Sequence, residues 1–503
     1  MCQFTYKKKE KMNRAYEPTW ESLRTHTTPK WFQDAKFGIY THWGVYSVPA
    51  CGPNGSWYPY NMYREGSEQH KYHVKTYGPP SEFGYKDFIP MFTGEKFHAE
   101  EWADLFKKAG AQFAGPVGEH HDGFCMWDSQ LTDWNATRMG PGRDVVGELE
   151  SAIRAQGMRF LVALHHAENW WFYPHWRKEF DTSDPQYVGL YGPQHNLDWE
   201  DGCVRSKERL LSPGSSWNNL PWWQQDNPSK EYLEKWLAKT CEVIDKYQPD
   251  MLWFDFGIRG LPEKYRRDFL AYYYNKQREW SREVAVTYKS HDLVPGTAIV
   301  DLELGRMGEL TYQDWITDTS VDDEGAWSYV RGAGFKTART LVHNLIDNVS
   351  KNGHLLLNVG PMPNGEIPDE AKRCLLGIGK WLDMNGEAIY GTIPWIQYGE
   401  GPTQMKTTGS FSEQNEVEYT AQDIRFTAKD DVLYATFLGW PEEKVTIGAL
   451  KRLYQDEIRS VTMLGVDREL KWSMTEDGLV VERPEAKPCE HAFVFRIKRQ
   501  DPF

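Results

Sequence analysis

Short unbroken apolar runs alternate along most of the chain with longer stretches whose apolar residues recur at helical spacing. The run Met251-Leu252-Trp253-Phe254, inside Asp250–Gly257, suits a strand buried on both faces, as in a parallel sheet. Comparable runs lie in Phe37–Gly44, Gln112–Phe124, Met158–His166, Arg282–Tyr288, Ala298–Gly305, the Thr311–Val321 region and Gly353–Pro361. Between most of them the period changes to that of an amphipathic helix, in Ala99–Gly110, Arg143–Gly157, Glu263–Glu279, Thr337–Ser350 and Asp369–Met384. Another helix is predicted to start at Asn227-Pro228, Asn as N-cap and Pro in the first turn, with Leu233, Trp236, Leu237, Cys241, Ile244 and Tyr247 as its buried stripe.

Eight strands with helices between most of them predict an α/β fold, a (β/α)8-like, TIM-type barrel over residues 29–396. An open doubly wound sheet would call for a Gly-rich phosphate loop after the first strand, and the chain has none there. Residues 1–28 form an N-terminal extension. Beyond the polar connection Glu400–Asn415 come short alternating segments with turns, predicting a C-terminal β-sandwich over residues 416–503, with Asp477-Gly478 as a hairpin signal. The rhythm also breaks inside the barrel. From Ala167 to Pro228 the chain carries Trp170, Trp171, Trp176, Trp199, Trp217, Trp222 and Trp223, a long aromatic insertion suited to the active-site face.

Composition then narrows the function. A formal net charge of -14 argues against a nucleic-acid partner and against anionic membranes. A mean hydropathy of -0.68 and the lack of a long apolar run exclude a spanning helix. The basic start, Met1–Tyr16, has no apolar stretch behind it and is not a secretory signal, so a cytoplasmic location is expected. The 7 cysteines are dispersed without a CxxC pair and read as free thiols. The 23 Trp, 27 Tyr and 23 Phe are a marked excess, and flat aromatic faces pack well on a pyranose ring.

In a parallel barrel the C-terminal strand ends form the active-site face. Collected there are His42, His120, His121, one or both of His165 and His166, Asp255 and Glu303. A retaining glycosidase needs two carboxyls ~5–5.5 Å apart, one ionised and one protonated. Asp255 and Glu303 end different strands and are the candidates, with the histidines as hydroxyl binders. A metal-dependent hydrolase is the competing reading. Its usual His-x-His start is replaced here by adjacent pairs, and adjacent residues of a regular strand face opposite ways. A sugar-binding protein without catalysis is a third reading, and it has no need of both carboxylates.

FGIYTHWGVYSVPA, EHHDGFCMWDSQLTDWN, LWFDFG, the WITDTSV region, VSKNGHLLLNVGPMPNGEIP and WLDMNGEAIYGTIPW occur in this order. Together they resemble the α-L-fucosidases of glycoside hydrolase family 29, from about Pro29 to the end. The resemblance implies an exo-acting retaining enzyme that removes terminal α-L-fucose by double displacement, with a fucosylated oligosaccharide or glycoconjugate as substrate and with no metal or other cofactor. It implies Asp255 as nucleophile and Glu303, in VDLELGR, as acid/base, with Glu309 and Glu119 as alternatives. It implies His42, His120 and His121 as fucose contacts, Trp57 as a stacking platform and His165 as a further polar contact. Two positions depart from the family pattern. Ser56 stands where many members have Glu, and Glu119 where many have Lys.

Overall fold

The computed structural model describes residues 15–194, 227–289, 291–405, 407–413 and 417–500. Eight parallel strands close into a barrel in chain order: β1 (Phe37–Thr41), β2 (Phe113–Glu119), β3 (Arg159–Leu164), β4 (Met251–Phe254), β5 (Ala285–Lys289), β6 (Ile299–Asp301), β7 (Trp315–Ser320) and β8 (Gly353–Val359). β8 pairs back onto β1, with Leu356 opposite Gly38 and Asn358 opposite Tyr40.

Helices follow six of the eight strands: α1 (Ala99–Lys108), α2 (Val145–Ala155), α3 (Lys230–Tyr247), α4 (Glu263–Glu279), α5 (Ala338–Ser350) and α6 (Asp369–Asn385). β5 and β6 run into their successors through loops, which makes the barrel irregular. Helix α3 starts later than its Asn-Pro signal suggests. Ser229 is the N-cap, and its side chain accepts from the Tyr232 N–H.

Period-two alternation divides each strand between two cores. Met251 and Trp253 of β4 point into the barrel with Leu161, Ala163, Ala285, Ile299, Ile316 and Leu356. Leu252 and Phe254 point outward into the layer beneath the helices, with Phe160, Val162, Val286 and Leu357. Counted in twos, the inward positions include Lys289, Asp318 and Asn358 near the C-terminal ends of β5, β7 and β8, and continue past the ends of β1, β3, β4 and β6 to His42, His165, Asp255 and Glu303. β2 is the exception. Val117 pairs with Ala163 but Glu119 pairs with Leu164, so a bulge shifts the register by one residue. The bulge turns Glu119 outward and His120 inward.

The C-terminal part is two antiparallel sheets over a shared apolar core, a β-sandwich. The larger sheet begins with Ile393–Glu400, which pairs with Ile424–Lys429, so a strand lies across the division expected near residue 396. Its remaining strands include Val432–Phe437, Ile458–Met463 and Phe493–Arg499. The smaller sheet holds Lys444–Ile447, Trp472–Thr475 and Gly478–Glu482. The hairpin in it turns on Glu476-Asp477, with Gly478 already paired to Thr475. Among the described residues no helix is long and apolar enough to cross a membrane. Cys51, Cys125, Cys241, Cys374 and Cys489 are free thiols.

Candidate active site

At the C-terminal mouth of the barrel lies a cavity of about 320 Å³, in the range of small-molecule sites. Its floor is made by inward strand-end residues, and Trp57, Trp327 and Phe256 are among its walls.

Asp255 sits one residue past β4 with its side chain 14% exposed. Its Oδ2 accepts from His165 Nδ1 at 3.1 Å. His121 Nε2 lies 3.2 Å from the same oxygen, off the line of a straight hydrogen bond but within ion-pair reach. Burial by itself would push the Asp255 carboxyl up. The imidazoles of His165 and His121 outweigh it and hold the group well below the usual carboxylate range. His121 supports this with both ring nitrogens. Its Nδ1–H donates to the His165 carbonyl at 2.9 Å, which leaves Nε2 toward the carboxylate. Burial opposes a charge on this ring, but Asp255 and Glu168 raise its pKa above the ordinary value.

Glu303 occupies a turn two residues beyond β6 and lines the same cavity. Burial pushes its carboxyl up, with Asp255 and Asp318 adding to the effect and Lys289 opposing it, to about 8. The two acids are therefore driven apart, one ionised and one protonated near neutral pH. Beneath them lies a buried network. Lys289 Nζ is 2.8 Å from Asp318 Oδ1, 3.4 Å from Asp301 Oδ2 and 3.6 Å from Glu303 Oε2, and 4.6 Å from the Trp253 ring centre. Tyr40 donates to Asp318 at 2.9 Å, and the Trp253 N–H donates to Asp301. Burial and the neighbouring Asp318 push Asp301 well above the carboxylate range. The Lys289 cation is favoured by Asp301, Asp318 and Glu303 despite its full burial.

Two further histidines of the cavity, His42 and His120, are held neutral. Burial holds both well below the ordinary imidazole range. Asn358 orients His42, accepting from its backbone N–H at 3.1 Å and from Nδ1 at 2.8 Å. The Asn358 amide in turn donates to the Trp327 carbonyl at 2.6 Å. Asn358 is thus a residue of β8 that belongs to the site. Asp122 caps its own loop, accepting from the Phe124 N–H and, at 2.6 Å, from Tyr85, and does not bond its histidine neighbours.

The two histidine pairs behave differently. His165 faces the cavity, while His166 turns to helix α3, 3.3 Å from the Trp236 carbonyl. His120 and His121 both reach the site, against the expectation of one inward ring per pair. They lie past the end of β2, where strand alternation no longer applies. Trp57 packs edge-on to His121 and Phe172, ring centres 5.2 and 5.4 Å apart, and Ser56 lines the wall beside it. Glu119 is outside the cavity, buried against Lys239 of α3 at 2.7 Å and accepting from the Cys125 thiol. Glu309 is exposed and also outside it.

Sequence reasoning passed over Lys289, Asp318 and Glu168. The first two carry the inward parity of Ala285 and Ile316, a signal that counting in twos exposes. Glu168, in the short turn after β3, lines the cavity 4.0 Å from His121 Nε2, and no strand pattern marks it. The aromatic insertion contributes Phe172 behind Trp57, and Trp171 against Gly260 of the loop after β4. Trp199, Trp217, Trp222 and Trp223 lie outside the described residues. Potential metal donors do converge. The ligand atoms of His42, His120 and His165 lie within 4.8 Å of one another, as do those of His121, His165 and Asp255. In the second set His165 Nδ1 is already hydrogen-bonded to Asp255 Oδ2. In the first, His42 Nδ1 is already taken by Asn358.

An ionised and a protonated carboxyl facing one aromatic-walled barrel cavity define the arrangement of a glycoside hydrolase. The alpha-L-fucosidase family description matches residues 3–387, and that of the alpha-L-fucosidase C-terminal domain matches residues 414–498. Tissue alpha-L-fucosidase of Rattus norvegicus is 31% identical over 490 residues, 94% of this chain and 89% of that protein. The Homo sapiens counterpart is 30% identical over 509 residues, 96% of this chain and 92% of that one. The crystal structure of Thermotoga maritima alpha-fucosidase in complex with fucose superposes with a TM-score of 0.73 at 33% identity, covering 96% of this chain and 100% of that one. The chain belongs to the alpha-L-fucosidase family.

The raised Glu303 carboxyl has a consequence for stability. Its folded value, about 8, stands above the unfolded value of about 4.3, so the fold binds this proton more tightly than the unfolded chain. The resulting stability is full below the unfolded value and is lost as pH rises through about 8. Glu303→Gln removes that loss. Its Tm relative to wild type should rise by about a degree or more between about pH 5.5 and about pH 8.5. A Tm difference that is flat across this window, followed by differential scanning fluorimetry, contradicts the assignment.

Proposed function

We propose that this protein is an exo-acting α-L-fucosidase that works by double displacement with retention of configuration. The observation that carries the reading is the pairing of Asp255, kept ionised by two imidazoles, with a protonated Glu303 on the same cavity. Family membership supports fucose as the glycone, since relatives of more than 30% identity are named alpha-L-fucosidases.

In this mechanism Asp255 Oδ attacks the anomeric carbon while Glu303 protonates the leaving oxygen. The leaving group departs as an alcohol, and fucose is held as a β-linked ester of Asp255. Glu303, now ionised, takes a proton from water. That water attacks the anomeric carbon, which frees α-L-fucose and restores both carboxyls. His165 and His121 steady the charge on Asp255 before attack and again as the ester breaks. Neutral His42, its Nδ1–H taken by Asn358, offers Nε2 as an acceptor, and neutral His120 offers a donor and an acceptor, which suits sugar hydroxyls. Trp57 supplies a flat face for the C5-methyl side of the ring. Lys289 stays charged throughout and keeps Glu303 close to its ionisation point, so that it can give and retake a proton.

Asp255→Gly should lose several orders of magnitude of turnover on an aryl α-L-fucoside, and azide should restore activity with β-fucosyl azide as product. Near-wild-type turnover without azide contradicts the nucleophile assignment. Glu303→Ala should lose about 10²-fold or more on a fucosylated disaccharide, and much less on an aryl fucoside with an activated leaving group. Equal losses on both substrates would remove Glu303 from the proton-transfer role.

A further inference from the structure

The loop that joins the first two strands of the sandwich, Ile393–Glu400 and Ile424–Lys429, reaches back over the barrel mouth. The Phe411 N–H donates to the Glu303 carbonyl at 2.7 Å, and the Glu413 N–H to the Leu304 carbonyl at 2.8 Å. The Gly409 N–H donates to the Arg306 carbonyl at 2.8 Å, and Ser412 Oγ accepts from the Arg306 N–H at 3.1 Å. The turn they grip is itself pinned to β7, where Thr317 donates to the Leu302 carbonyl at 2.6 Å and accepts from the Gly305 N–H. A plain connection between two strands of the sandwich has no need of this ladder of bonds.

The ladder's result is the placement of one ring. Phe411 has φ +59°, a left-handed backbone conformation unusual for a bulky side chain. Strained backbone of this kind persists where the surrounding structure enforces it, and it clusters at ligand sites. The Phe411 side chain is left 48% exposed on the wall of the cavity that holds Asp255 and Glu303. Its ring lies within 13° of parallel to that of Phe256, with centres 6.3 Å apart. Phe256 directly follows Asp255 and is held from within by Lys289 Nζ, 5.5 Å from its ring centre. One acid therefore carries one ring of the pair through the chain, and the other acid carries the second through a backbone hydrogen bond.

From this we infer that Phe411 and Phe256 form a platform for the leaving group, stacking on the apolar face of the sugar ring next to fucose. The inference rests on the proposed function. If Glu303 protonates the leaving oxygen, the departing ring must lie beside Glu303, where these two phenyl rings stand. A loop of the C-terminal sandwich then contributes to acceptor specificity at the barrel mouth.

The test compares wild type with Phe411→Ala, Phe411→Leu and Phe411→Trp on a fucosylated disaccharide, an aryl α-L-fucoside and α-L-fucosyl fluoride, whose leaving group has no ring. In Phe411→Ala the ratio of kcat/KM for the disaccharide to that for the fluoride should fall about tenfold, mainly through KM. The aryl substrate should follow. Phe411→Leu keeps an apolar anchor without a flat face and should show the same fall, while Phe411→Trp should hold the ratio near wild type. An unchanged ratio in both Ala and Leu variants overturns the platform and leaves Phe411 as an anchor of the Glu303 turn. Failure of the wild-type enzyme to release fucose from the fluoride overturns the proposed reaction itself, and the platform with it.

Discussion

The site depends on keeping one carboxylate charged at the end of a buried strand. Met251 to Phe254 bury apolar side chains on both faces of β4, and Asp255 follows with its side chain 14% exposed. Such a group would ordinarily take up a proton. Two imidazoles prevent it, His165 by a hydrogen bond at 3.1 Å and His121 by a contact at 3.2 Å. Both sit at ends of neighbouring barrel strands, so the closed barrel itself supplies the charge balance. An open sheet would not bring the residues after β2, β3 and β4 together with those of β6 and β7 around one cavity.

The opposite problem is solved on the other side of the cavity. Glu303 must be able to hold a proton near neutral pH, yet give it up. Burial, helped by Asp255 and Asp318, pushes its carboxyl up, and Lys289 restrains the rise to about 8. Lys289 is positioned by Asp301 and Asp318 and covered by Trp253 and Phe256, so a single buried cation is shared among three acids. That arrangement is costly to bury and gains most of its return through function.

Much of this was legible in the sequence because barrel strands impose two simple patterns. Unbroken apolar runs marked the strands, and the polar residues ending them marked the mouth. That was enough to bring His42, His165, Asp255 and Glu303 into one set. Lys289 and Asp318 were missed although they obey the same parity. A strand-end lysine reads as a solvated charge unless the pairing of β5 with β6 is known. The bulge in β2 left no mark in the sequence, so the outward turn of Glu119 and the inward turn of His120 had to come from the register. Phe411 was beyond reach for a different reason. It is more than a hundred residues from Glu303, in a polar connection that looked like a linker, and its contact runs through backbone groups, which carry no residue signature.

The central claim is that the Asp255 carboxylate attacks the sugar. Covalent trapping reads this at the level of the bond. The wild-type enzyme is incubated with 2-deoxy-2-fluoro-α-L-fucosyl fluoride, digested with protease, and the adduct is located by tandem mass spectrometry. The account predicts time-dependent inactivation with the fluorosugar mass on the peptide containing Asp255, attached at that residue. Attachment at Glu303, or full activity beside an unmodified Asp255 peptide, would contradict it.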